Sequence, residues 1–427
     1  MDEWPLVILK ELLDNAIDAA EEAGTAPEVS VEVRNRKIAV IDNGPGVAPE
    51  VVKSILDYNV RVSSREAYVS PTRGAQGNAL KTIIAMPYAL NQPAPETVIE
   101  SQGVSHRIRF CADYVRQEPK IEYHPGGSNV KNGTRITTPM PVSACSKTDE
   151  VKPGFLQMAR AFAWLNPHLA LDVRWDRERI RIEPTHTGWQ KWRPSDPTSA
   201  HWYDANRLGR LMAAYITQHL DQGRLPRRVR EFVSEFRGLS GSAKQKRVLD
   251  EIDASRVALP VFFGNGAVNR SNIAKLLEAM QKHTRPVAPR DLGLIGQDHL
   301  RERFREAGAA KETFKYKREF VVEGGLPQVV EAAFGFCPKG NHREIVAGVN
   351  WSPAIRNPFR QLGPYGESLD TFLAEQRAGR YDEPITLVIH LASPAVAYTD
   401  RGKTAVALGG ASASQQDEEN DDADEYC

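Results

Sequence analysis

The chain has 427 residues, 41% of them hydrophobic and 26% charged, with 55 basic side chains against 55 acidic ones. That is a globular composition on a length beyond one ordinary core, so two or three domains are expected. No apolar run reaches the about 18 residues of a membrane span, and four scattered cysteines (Cys111, Cys145, Cys337, Cys427) with no CxxC pair argue against a disulfide framework or zinc site. The N-terminus has no basic, apolar, small-residue signal pattern, and the scattered cysteines make a reducing cytoplasm the expected location.

Leu9, Leu12, Leu13, Ala16, Ile17 and Ala20 recur at helical spacing, which predicts a helix over 6–23 that Gly24 stops. Val29, Val31 and Val33 alternate, Asn35-Arg36 turn the chain, and Ile38 and Val40 alternate back as a hairpin. The returning strand runs into DNGPGV. Residues 57–78 are polar and glycine-containing, and read as a mobile loop. ALKTIIAMPYAL reads as helix, 97–140 as further strands ending in NGTRITT, and GFLQMARAFAWLNPH as helix. Proline and tryptophan crowd 183–203, which predicts a domain boundary there. Residues 204–305 read as mostly helical. Strand patterns return from 315 in FKYKREFVVEGG, REIVAGVNW and ITLVIHLAS. From about 410 the chain is Gly/Ser and then acidic, with seven acids and no base in DEENDDADEYC, a solvated and disordered tail. The rest holds 55 basic side chains against 48 acidic ones.

Four pieces carry possible chemistry. Glu11 and Asn15 stand four apart and share one helix face. An amide oxygen there can ligate Mg²⁺, and a carboxylate one turn earlier can take a proton from water. Asp42 ends a strand before Gly44 and Gly46; its carboxylate can accept from an exocyclic amine, and bare backbone lets a flat ring lie close. Gly74 and Gly77 precede a helix, where free N–H groups can face an anion. Thr134 follows Gly133 and could bond the Asp42 carboxylate through its hydroxyl. The first two have bland alternatives, a solvated helix face and a tight turn, and the last two carry little weight alone.

In this order the four pieces resemble the ATP-binding domain shared by gyrase B, heat-shock chaperone ninety, histidine kinases and the mismatch-repair clamp, the GHKL superfamily. The resemblance implies an α+β fold built on a Bergerat ATP-binding α/β sandwich. It also implies that Asp42 binds adenine, with Gly44 and Gly46 letting the base lie against the backbone. By the same resemblance, residues 57–78 form a lid whose Gly74, Gln76, Gly77 and Asn78 meet the phosphates, Thr134 supports Asp42, Asn15 holds Mg²⁺, and Glu11 is the general base.

Within that superfamily ARAFAWLNPH, REFVSEFRGLSGSAKQKRVLDEI, PRDLGLIGQDHLRERF and LVIHLASPAVAYTDRGKTAVA resemble segments of the topoisomerase VI B subunit, part of a type IIB enzyme. The likeness implies an ATP-binding domain over 1–185, a linker over 186–203, a helix–two-turn–helix-like helical insert over 204–305, an α/β transducer over 306–412 and a disordered tail over 413–427. Lys403 stands where the family's transducer lysine reaches the γ-phosphate. The implied function is an ATPase subunit that closes as an ATP-dependent homodimer on DNA beside a DNA-cleaving A-like subunit, with ATP and Mg²⁺ as cofactors and no membrane. The alternative is a stand-alone ATP-gated clamp without strand passage, since the family's partner-crossing N-terminal segment and its long docking helix lack counterparts in these residues. The stretch Arg224–Arg247 holds Arg224, Arg227, Arg228, Arg230, Arg237, Lys244, Lys246 and Arg247 against Glu231 and Glu235, a patch suited to DNA phosphates or to a solubilising surface.

Overall fold

The computed structural model describes residues 3–57, 67–73, 79–92, 95–113, 118–140, 148–221, 223–264, 267–338, 343–359, 384–398 and 405–406. Lys403, Gly74, Gln76, Gly77, Asn78 and the tail lie outside them.

Helix α1 (Trp4–Glu22) begins with Pro5 in its first turn, where a missing N–H removes no helix bond. Its apolar stripe, Ile8, Leu9, Leu12, Leu13, Ala16 and Ile17, is buried. Strands β1 (Glu28–Arg34) and β2 (Lys37–Ile41) form the expected hairpin, with Arg34 opposite Lys37. Asn35 and Arg36 both adopt left-handed φ, 51° and 59°. That is the two-residue turn whose twist matches a right-twisted hairpin.

Helix α2 (Pro49–Ile55) and helix α3 (Ala79–Ala89) follow, then β3 (Glu96–Ser101), β4 (Val104–Asp113), β5 (Glu118–Gly127) and β6 (Thr134–Pro139). Helix α4 (Thr148–Leu165) starts earlier than the sequence pattern suggests and carries Pro153 inside it. Strands β7 (Ala170–Trp175) and β8 (Glu178–Ile182) complete an eight-stranded sheet of order β5-β4-β3-β6-β2-β1-β7-β8. Its β1–β7 pair is parallel. Helices α1 and α4 pack together over this sheet, with Phe155 and Phe162 meeting Val31, Leu171 and Val173 in one core.

The helical region holds α5 (Ala205–Asp221), α6 (Val229–Ser234), α7 (Ser242–Glu251), the small hairpin β9 (Phe263–Gly264) and β10 (Ala267–Val268), α8 (Arg270–Lys282) and α9 (Gln297–Glu306). A second sheet has β11 (Lys315–Glu323), β12 (Leu326–Phe336), β13 (Glu344–Val349), β14 (Ser352–Pro353) and β15 (Ile385–Ala392), in the order β11-β12-β15-β13-β14.

The proline- and tryptophan-rich stretch is packed. Trp189, Trp192 and Trp202 are buried in one core with Phe232 and Leu276 of the helical region and Val329 and Val388 of the second sheet. An indole removes a large apolar area from water, which outweighs the turn-forming character of the prolines beside it. Part of the expected mobile loop is also anchored. Tyr68 accepts from Thr198 N at 3.0 Å and donates to Asp196 O at 2.9 Å, and Val69 N donates to the Tyr203 hydroxyl at 2.9 Å. Among the described residues, no helix is long and apolar enough to cross a membrane.

Candidate functional site

Strand β2 pairs with β6 so that Ile41 faces Arg135. The next position brings Asp42 to Thr134, and Asp42 N donates to Thr134 O at 3.0 Å. The Asp42 carboxylate then turns back on the backbone. Its Oδ1 accepts from Gly44 N at 2.9 Å and from Thr134 N at 3.1 Å. The support from Thr134 therefore comes through its backbone N–H, where the sequence suggested the hydroxyl. Burial raises the Asp42 pKa above its ordinary value, and these two backbone bonds pull the other way. Among the described residues both bonds fall on one oxygen.

The glycines around Asp42 answer to internal packing. A Cβ on Gly44 would stand 3.0 Å from Asp42 Oδ1 and 3.1 Å from Ala19 Cβ of α1. Gly46 has φ 80°, and its Cβ would stand 2.6 Å from Ser101 Oγ. Gly133 has φ 72°, and its Cβ would fall 1.9 Å from the Asp42 carbonyl oxygen, which no rearrangement of side chains relieves. Ser101 ties the group together, donating to Gly133 O at 3.0 Å and accepting from Val47 N at 2.8 Å. At both Gly44 and Gly46 the Cβ direction is filled by the protein itself, so the backbone there admits no side chain.

On α1, Glu11 is half-buried and Asn15 is exposed, on the flank opposite the apolar stripe. Glu11 Oε1 lies 3.7 Å from Lys10 Nζ. Among the described residues no group of three or more His, Cys, Asp or Glu is arranged to hold a metal ion.

The structure adds a buried ionic cluster that sequence reasoning missed. Arg73, the residue before the Gly74 segment, has a side chain with no solvent exposure. It donates to both carboxylate oxygens of Glu21, at 2.8 and 2.7 Å, and also bonds Asp18 and Asn166. Lys191 lies 2.8 Å from Glu21, and His168 Nε2 lies 3.1 Å from it. Burial alone would raise the Glu21 pKa, but Arg73 and Lys191 overcome it and hold the carboxyl well below its ordinary value. Burial lowers His168. Asn166 donates to Phe162 O at 2.8 Å and to Trp351 O at 2.9 Å, which joins this cluster to the second sheet. The only sequence signal was the Asn-Pro-His run itself.

Among the basic residues, Arg224, Arg228, Arg230, Arg237, Lys244, Lys246 and Arg247 are exposed and Arg227 is half-buried. Arg227 pairs with Glu235 and lies over the Tyr215 ring at 4.6 Å, so its charge is largely satisfied within the fold.

Residues 3–142 match the family described as histidine kinase-, DNA gyrase B-, and HSP90-like ATPase. The B subunit of type 2 DNA topoisomerase 6 from Archaeoglobus fulgidus is 25% identical to this chain, over 94% of the chain and 66% of its own length. That of Methanococcoides burtonii is 23% identical, over 94% and 64%. That of Halobacterium salinarum is 36% identical over a shorter match, 39% of this chain and 21% of its own length. The chain thus spans just under two thirds of the length of the Archaeoglobus and Methanococcoides relatives. Residues 3–142 are thus similar to the histidine kinase-, gyrase B- and HSP90-like ATPase family, in a chain that is similar to the B subunit of type 2 DNA topoisomerase 6 along 94% of its length.

Proposed function

We propose that the chain binds and hydrolyses ATP as the B-type subunit of a type II DNA topoisomerase, closing as a dimer on DNA beside a separate DNA-cleaving A-type subunit. The observation that carries the nucleotide site is the Asp42 carboxylate, held by two backbone N–H groups on Oδ1. A carboxylate fixed in this way has a second oxygen to accept the adenine amino group. Asn15 would hold Mg²⁺, which when bound neutralises phosphate charge, and the exposed amide oxygen suits that hard cation. Glu11 would take the proton from the attacking water. Gly74, Gln76, Gly77 and Asn78 would face the phosphates, and Lys403 would reach the γ-phosphate from the C-terminal half. Phosphoryl transfer needs positioning and charge neutralisation more than covalent chemistry, and these roles supply both. The domain limits read from the sequence, with the transducer over 306–412, belong to the same proposal.

The test is the Glu11→Ala variant. It is expected to bind ATP with little change and to lose turnover; turnover at the normal rate removes Glu11 as base. A pull-down with a non-hydrolysable ATP analogue tests the partner. Recovery of an A-type subunit supports the topoisomerase reading, and a bound homodimer alone favours the stand-alone clamp.

A further inference from the structure

Strands β13 and β14 are joined by Asn350-Trp351, with left-handed φ of 49° and 63°. Trp351 is fully buried, and a bulky aromatic in that region is a strained residue that its surroundings must hold. They do so from several elements. Asn350 donates to Thr72 O at 3.2 Å and accepts from Ser393 N at 2.9 Å, and Trp351 N donates to His390 Nε2 at 3.1 Å. The turn delivers the next residue, Ser352, to α1. Its hydroxyl donates to Asp14 Oδ2 at 2.8 Å. The same oxygen accepts from Lys10 Nζ at 2.8 Å, and Lys10 Nζ stands 3.7 Å from Glu11 Oε1.

We propose that Lys10 is a positioning residue for Glu11, and that Ser352 sets Lys10 from the second sheet through Asp14. The inference rests on Glu11 as the base of the reading above. Its logic is a competition. Asp14 is buried, and its Oδ1 has no partner among the described residues, so the carboxylate is satisfied at Oδ2 alone. With the Ser352 hydroxyl present, Lys10 is shared between Asp14 and Glu11. Without it, Asp14 Oδ2 keeps Lys10 as its only partner among the described residues and holds the ammonium more firmly, against its approach to Glu11. Burial by itself would lower the Lys10 pKa, but Asp14 and Glu11 overcome it and keep the ammonium charged. Movement of the second sheet would thus be felt at the base through one hydroxyl, by a route separate from Lys403.

The experiment is steady-state ATP hydrolysis by the full chain with Ser352→Ala, Lys10→Met, Lys10→Arg and the Ser352→Ala/Lys10→Met pair, each checked for its melting temperature. Lys10→Met is expected to lower kcat by about tenfold or more with KM nearly unchanged. Ser352→Ala should lower kcat by a smaller factor, Lys10→Arg should recover most of the loss, and the paired variant should be no slower than Lys10→Met. A normal kcat in Ser352→Ala, or losses that multiply in the paired variant, overturns the inference while wild-type turnover leaves the ATPase reading standing. Absence of turnover in the wild-type chain overturns both.

Discussion

Arg73 presents its two terminal nitrogens to the two carboxylate oxygens of Glu21, at 2.8 and 2.7 Å, with both side chains buried. Glu21 sits at the end of α1 and Arg73 just before the Gly74 segment, so this fork fixes the root of the proposed lid to the helix that carries Glu11 and Asn15. Removing one partner leaves an uncompensated buried charge. Arg73→Met is therefore expected to destabilise the fold by about 3–5 kcal/mol. Glu21→Gln should cost a similar amount, and chemical denaturation measures both. A loss below about 1 kcal/mol for either would mean that the cluster is rearranged or solvated. Because the Glu21 pKa is depressed, its contribution is complete above the ordinary carboxyl value of 4.5 and is lost as pH falls below it.

His299 predicts a second pH dependence at higher pH. It lies on α9, with Nε2 3.0 Å from Trp164 O and Nδ1 against the Thr185 hydroxyl. Burial, the largest influence, lowers its pKa to about 4 from the ordinary 6.5. Between those values the unfolded chain binds a proton that the folded chain refuses, so stability falls as pH falls from 6.5 towards 4. The full loss is roughly 3 kcal/mol. His299→Gln should flatten that part of a plot of melting temperature against pH. An unchanged slope would place the acid sensitivity elsewhere.

What the sequence made legible is what local pattern controls. The stripe Leu9, Leu12, Leu13, Ala16 and Ile17 names the buried face of α1, and Asn35-Arg36 names the β1–β2 turn. Asp42 could be found because the strand, the acid and the glycines adjoin in sequence. The Arg73 cluster could not, since it assembles residues 18, 21, 73, 166, 168 and 191 from separate elements. A buried arginine looks in sequence like any surface arginine, and only the fold removes it from water. The same limit applied to residues 186–203, where prolines suggested a connection and Trp189, Trp192 and Trp202 were the better guide. For Arg227 a contiguous run of charge concealed which side chain folds back on Glu235.

Asp42 and Gly133 make a pair that separates recognition from framework. Asp42→Asn keeps an oxygen for Gly44 N and Thr134 N but loses the charge offered to a ligand. Nucleotide affinity is expected to fall by about tenfold or more with a nearly normal melting temperature. Gly133→Ala forces a Cβ against the Asp42 carbonyl at 1.9 Å and strains a φ of 72°. It should lower both the melting temperature and the affinity. Calorimetric titration with ATP distinguishes them, and unaltered affinity in Asp42→Asn would remove the carboxylate from purine recognition.

The basic face of the helical region predicts a split between neighbouring arginines. Arg228 and Arg230 are exposed around the start of α6, where the Glu231 carboxylate is engaged by Arg228 N at 3.0 Å. Their side chains are exposed to solvent, whereas Arg227 is stacked on Tyr215 and paired with Glu235. Charge reversal of Arg228 and Arg230 should weaken retention on duplex DNA without changing the melting temperature. It should also reduce the salt slope of binding by about one for each phosphate no longer neutralised. Arg227→Glu should act mainly on stability, because it sets a second carboxylate beside Glu235. Full DNA retention in the Arg228/Arg230 reversal, measured across salt concentrations, would show that this face serves solubility and that any DNA is held elsewhere.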